Sequence, residues 1–143
     1  MAACELCQGP GGEVVWQDAL CRVVRVEAAD YPGFCRVIWN SHVGEMTDLP
    51  SADRRHLMTL VFAVEAAVRS LLRPDKVNLA SLGNMVPHLH WHVIPRRRGD
   101  RHFPQPIWGE ALRAASAARP EVSSQALHDA IVQALSEEHG GAA

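Results

Sequence analysis

Three histidines recur at alternate positions in His88-Leu89-His90-Trp91-His92, and Val93-Ile94-Pro95 follow them. The spacers are apolar and β-prone, so the stretch reads as a half-buried strand. Alternate side chains of a strand share a face, which puts the three imidazoles on one side at steps of about 7 Å. Leu89, Trp91 and Val93 then point the other way, into a core. Histidine is the side chain whose ordinary pKa lies nearest neutral pH, so such a row suits nucleophilic, proton-transfer or metal chemistry. As mere packing it is a poor choice, because each buried ring needs hydrogen-bond partners.

The rest of the chain has to supply a scaffold for that strand. With 143 residues, 48% of them hydrophobic and 21% charged, it suits one soluble domain with a real core. We expect a single domain over residues 1–143, its core at about 4–108 and a helical tail at about 109–143. The net charge of −2 gives no global reason to expect a nucleic acid polymer or an anionic membrane as partner. The start, Met1-Ala2-Ala3-Cys4-Glu5, lacks a basic region followed by an apolar core, and Leu57 to Val68 is too short to span a bilayer. A cytoplasmic protein is the expectation, with Cys21 and Cys35 as small buried hydrophobes.

Val14-Val15-Trp16 and Cys21 to Val26 read as two strands joined by a turn around Asp18, and Phe34 to Trp39 as a third. From Ser51 the period changes. Leu57, Leu60, Val61, Val64, Val68, Leu71 and Leu72 mark one buried helix face, with Ser51 as N-cap and Pro74 as the stop. Lys76 to Gly83 reads as a fourth strand, antiparallel to the histidine strand across Gly83-Asn84-Met85-Val86-Pro87. An Ala-rich segment, Glu110 to Ala118, ends at Pro120, and a last amphipathic helix begins near Ser123 with Leu127, Ile131 and Leu135 on one face. The fold class is therefore α+β: an antiparallel sheet of about five strands, one long helix packed on it, and a C-terminal helix.

His-φ-His-φ-His-φ-φ, with φ apolar, is matched by His88 to Ile94, and at these residues the chain resembles the histidine-triad family of nucleotide hydrolases and transferases. The order of meander, long helix, strand, turn and triad strand is the family's order. Cys4-x-x-Cys7 and His42 also match positions of bacterial members. The resemblance implies attack by His90 on the α-phosphorus of a nucleoside phosphoramidate or dinucleoside polyphosphate, giving a covalent nucleotidyl-histidine that water hydrolyses. His92 would give a proton to the leaving group, and His88 would orient a neighbouring ring or serve a metal. It also implies a homodimer, and it calls for no organic cofactor.

Around the triad the match to the family is looser. Where many members carry Gln and then Ser or Thr, this chain has Asn84 and Met85. Asn84 can still donate to a phosphoryl oxygen, Ser81 can supply a hydroxyl from the strand end, and Met85 cannot replace one. Glu27 or Asp30 would hold the ribose. The run Arg96-Arg97-Arg98 with Arg101 would meet a phosphate tail, and His102 lies near the expected site mouth. His56 falls outside the helix's apolar stripe and reads as exposed, and His128 and His139 as incidental.

Cys4-Glu5-Leu6-Cys7 has metal-ligand spacing, but one CxxC is half a site. The resemblance to zinc-containing bacterial triad proteins suggests His42 and His88 as the other ligands of a structural zinc. Two rival readings stand beside the nucleotidyl-histidine enzyme. One is a zinc metallohydrolase using His88, His90 and His92 as ligands. The other is a nucleotide-binding protein of low activity, favoured by Met85 and the short loop before the triad.

Overall fold

The computed structural model describes residues 3–115 and 121–140. A one-turn helix α1 (Glu5–Gln8) leads into the antiparallel strands β1 (Glu13–Gln17), β2 (Cys21–Arg25) and β3 (Cys35–Trp39). The long helix α2 (Ser51–Leu72) follows, then β4 (Lys76–Ala80), β5 (His90–Arg96) and the C-terminal helix α3 (Ser124–Gly140). The five strands form one antiparallel sheet in the order β1-β2-β3-β5-β4.

Alternation along the strands divides the sheet into two different faces. Cys21, Val23, Cys35, Val37, Trp39, Leu89 and Val93 pack under α2 and α3, against Leu57, Leu60, Val61, Val64, Leu127 and Ile131. Burial pushes the Cys21 and Cys35 thiols up to about 12, as expected of inert interior sulfur. Among the described residues the opposite face carries no long helix. It holds two small apolar clusters, one of Leu6, Val24 and Ile38, the other of Tyr31, Phe34 and Ile94. His90 and His92 belong to this second face, on the strand next to Arg36 and Ile38.

The element boundaries differ from expectation where local geometry intervenes. Ser51 is the first residue of α2 rather than its cap, because the extended Pro50 precedes it and no side-chain cap bond forms. The helix ends before Pro74, whose ring disfavours helix at Arg73, and Arg73 turns left-handed with φ +46°. β4 stops at Ala80 instead of Gly83. β5 begins only at His90, since a tight turn bonds the His88 N–H to the Val86 carbonyl. Residues 109–115 of the expected helical tail are irregular, and 116–120 of the Ala-rich segment lie outside the described residues. The tail helix starts at Ser124, where the Ser123 hydroxyl accepts the Ala126 N–H.

Candidate functional site

His88, His90 and His92 are all buried, yet their surroundings separate them. The His88 ring nitrogen Nε2 lies 2.6 Å from the Trp39 carbonyl. A carbonyl only accepts, so the proton sits on Nε2 and Nδ1 keeps its lone pair. That lone pair faces Cys4 Sγ at 3.3 Å, Cys7 Sγ at 3.5 Å and His42 Nδ1 at 3.2 Å. Burial lowers the His88 pKa, which favours the neutral ring that ligates metals. Cys7 Sγ is also 3.4 Å from His42 Nδ1.

These four residues are a credible cation site on two grounds. Their donor atoms all lie within 4.8 Å of one another. The edges of a zinc tetrahedron built from thiolate and imidazole ligands are about 3.3–3.8 Å, and the close pairs here match to within a few tenths. The Trp39 carbonyl is the outer partner that a ligating imidazole ordinarily has. Desolvation pushes the Cys4 thiol up, but hydrogen bonds from Cys7 and from the Leu6 backbone more than offset it, and the group lies below its ordinary value. The set joins α1 to the turn before β5, and Arg22 holds the same segment through the Leu6, Gly9 and Pro10 carbonyls.

His90 is 7% exposed, and its Nδ1 lies 2.5 Å from the His88 carbonyl. The same argument puts the proton on Nδ1, so the neutral ring presents a bare Nε2 lone pair. β4 covers β5 only from Arg96 back to His92, and His90 lies past the end of that pairing. There a cleft of about 310 Å³ opens, lined by His90, Ser81, Gly83, Glu45 and Thr47 among others. His92 is 6% exposed, and its ring centroid lies 4.9 Å from that of His90, edge to face. Phe34 and Trp108 flank it at 5.8 Å and 4.9 Å. Burial, then His90 and Arg36, push its pKa down to about 4, so it is neutral at pH 7.

Among the described residues, no metal-binding group joins the His90 and His92 rings, and His88 turns to the cysteines. The geometry therefore speaks against a shared ion on all three histidines. Several expected substrate contacts are also spent elsewhere. Arg96 is 2% exposed and forks onto Asp100 at 2.8 Å and 3.0 Å, with Asn78 and the Gln105 carbonyl as further acceptors. Its guanidinium is locked in the protein and is not a substrate contact. Arg97 caps α2 through the Leu72 and Arg73 carbonyls, and Arg101 lies 3.7 Å from Asp30. Ser81 donates to the His90 carbonyl at 2.8 Å, so it holds the triad backbone.

Asn84 is exposed, and Met85 beside it is 93% exposed. Glu27 lines a different and larger cavity of about 670 Å³ with Glu13, Arg25 and Glu121, and no triad histidine borders it. His102 is tied to Tyr31, whose hydroxyl lies 2.5 Å from its Nδ1. His56, read as exposed, pairs with Asp18 at 2.7 Å, and His128 donates to the Val15 carbonyl. The His139 side chain lies outside the described ones. Sequence reasoning missed Phe34, Trp108 and Arg36. For Arg36 a signal existed, since it is the one charge inside the apolar run Phe34 to Trp39.

Comparison with known proteins agrees with this geometry. A family model described as HIT domain matches residues 11–99. An AP-4-A phosphorylase of Mycobacterium tuberculosis is 30% identical over 87 residues, which cover 57% of this chain and 45% of that protein. The chain thus spans about half the length of the curated relatives it matches. A crystal structure of a histidine triad protein from Marinobacter aquaeolei is 30% identical, with a TM-score of 0.67 and coverage of 90% of this chain and 91% of that one. A Zn-bound histidine triad family protein from Mycobacterium smegmatis shares the fold at 20% identity, with a TM-score of 0.57 over 91% of this chain and 88% of that one. With the triad, the sheet and the family match in register, the chain belongs to the HIT domain family.

Proposed function

We propose that this protein is a nucleotide hydrolase or nucleotidyl transferase in which His90 attacks the α-phosphorus of a nucleoside phosphoramidate or dinucleoside polyphosphate. The observation that carries the reading is the bond from His90 Nδ1 to the His88 carbonyl, which aims a bare Nε2 lone pair away from the backbone. The new bond joins Nε2 to phosphorus as the bond to the leaving group breaks, and water then displaces the histidine. His92 is neutral before substrate arrives. Its proton donation to the leaving group therefore depends on the negative charge that substrate brings beside it.

A structural zinc on Cys4, Cys7, His42 and His88 belongs to the same proposal, supported by the donor set and its spacing. Such an ion supplies no chemistry at phosphorus; it ties the N-terminal segment to the triad strand. A cytoplasmic homodimer completes the picture. β4 is an edge strand, and no helix among the described residues is long and apolar enough to cross a membrane. The low-activity binding protein remains the second reading. Its support is that Met85 points to solvent while the Ser81 hydroxyl serves the backbone.

Intact-mass measurement on the purified protein, mixed with a nucleoside phosphoramidate and separately with a dinucleoside polyphosphate, tests this. We expect a nucleotidyl adduct on the wild type, none on His90→Ala, and a fall in kcat on the order of 10³-fold or more in that variant. Near wild-type turnover in His90→Ala would remove the nucleophile. Intact nucleotide affinity with background hydrolysis would favour the binding protein.

A further inference from the structure

We propose that Arg36 is the receptor for an oxyanion of the substrate, a second negative group beyond the phosphorus that His90 attacks. Arg36 and His92 are direct partners across β3 and β5, on the sheet face over which no long helix packs among the described residues. Directly opposed residues of an antiparallel pair hold their Cβ atoms about 4.5–5.5 Å apart, so the guanidinium starts beside the triad.

What sets Arg36 apart is how little of it the protein uses. A guanidinium has five N–H donors in a planar fork. Arg22, on the same face, spends its fork on Asn40 and on the Leu6, Gly9 and Pro10 carbonyls. Arg96 is neutralised by Asp100. Among the described residues Arg36 has a single bond, from Nη1 to the Gly11 carbonyl at 3.2 Å. Its Nε is buried without a partner, and among the described residues no carboxylate pairs with it. Arg36 is half-buried, so its fork is neither neutralised within the protein nor fully given to solvent, and a forked oxyanion is the partner that fits.

The one bond ties Nη1 to a constrained turn. Gly11 has φ +84°, and a Cβ there would meet Leu6 at 2.7 Å and Ile38 at 3.0 Å. The positive φ favours glycine at that turn, whose carbonyl accepts the Arg36 bond. The charge of Arg36 also helps keep His92 neutral, and an anion bound between them would relieve both effects.

This proposal rests on the reading of His90 as a nucleophile toward phosphorus, but its test reads no turnover. Titration calorimetry on the full chain uses inorganic pyrophosphate and, separately, succinate. The wild type should bind one of them, pyrophosphate identifying a phosphate chain and succinate a carboxylate. Arg36→Met should weaken that binding by about ten-fold or more, Arg36→Lys by less, and Arg22→Met should leave it unchanged. Should Arg36→Met fail to fold, the Arg36→Lys and Arg36→Gln variants carry the comparison. Binding of neither probe, wild-type affinity in the Arg36 variants, or an equal loss in Arg22→Met would overturn the assignment, the last by reducing Arg36 to a strap for the N-terminal segment.

Discussion

The two ends of the triad strand are fastened by opposite means. Beyond its C-terminal end, Asp100 accepts the forked Arg96, the backbone N–H groups of Arg97, His102 and Phe103, and the Tyr31 hydroxyl. Burial would push its carboxyl up, but these donors hold it well below the usual carboxylate range. This knot is neutral and complete within the chain. Before the N-terminal end, Cys4, Cys7, His42 and His88 bring together a donor set that could hold a cation, and under the proposed zinc that ion would unite them. One end of the strand is fixed by folding alone, and the other is fixed conditionally.

The largest effect should come from breaking the self-sufficient end. Asp100→Ala strands Arg96 as an uncompensated buried charge, which typically costs about 3–5 kcal/mol. For a chain of this size that is a fall in Tm on the order of 10 °C or more, with or without chelator. A Tm within a few degrees of wild type would mean that solvent reaches Arg96 and that the knot is not closed.

A smaller and conditional effect should follow at the other end. An ion bound at a hundred-fold above its Kd stabilises by about 2.7 kcal/mol. Chelator should therefore lower the wild-type Tm by several degrees, while Cys4→Ser with Cys7→Ser should start lower and ignore chelator. Asp100→Ala should keep its full chelator response, since the sites sit at opposite ends of β5. A double-cysteine variant that still responds to chelator would place the ion elsewhere.

Acid separates the middle of the strand from both ends, and here we expect the smallest effect. The folded pKa of His92 is about 4, below the free-chain value of about 6.5. Between those values the unfolded chain binds more protons, so stability is full above about pH 6.5 and falls as pH drops toward 4. Asp100 is also depressed, so its contribution is full above about pH 3.9 and is lost only below that. Tm measured against pH in chelator should fall through the upper window in the wild type and fall less in His92→Gln. An unchanged upper limb in that variant would assign the titration to another group.

The sheet, its antiparallel pairing and most of the buried face of α2 were legible because each follows from a local period, whereas Leu71, expected on that face, is 37% exposed. The different surroundings of the three histidines do not follow from the same period. His88 is set apart by the Trp39 carbonyl and by cysteines more than eighty residues away, none of which alternation encodes. Arg96 misled for a related reason. An arginine run beside an expected phosphate site looks like a ligand, and only the return of Asn78, Asp100 and Gln105 to one point shows Arg96 to be internal. The Cys4, Cys7, His42 and His88 set was reachable through family likeness, because each residue type there matches a position in bacterial members.

The bonds that orient the His88 and His90 rings have a consequence for how this site can vary. His88 is aimed by the Trp39 carbonyl and His90 by the His88 carbonyl, so neither holder is a side chain. A substitution at position 39 or 88 exchanges the side chain but keeps the carbonyl, and the tautomer of the next ring along survives. Neutral drift around the triad can thus alter the side chains beside His90 without first changing which of its nitrogens carries the lone pair. What it cannot alter cheaply is the path of the main chain from Trp39 to His90.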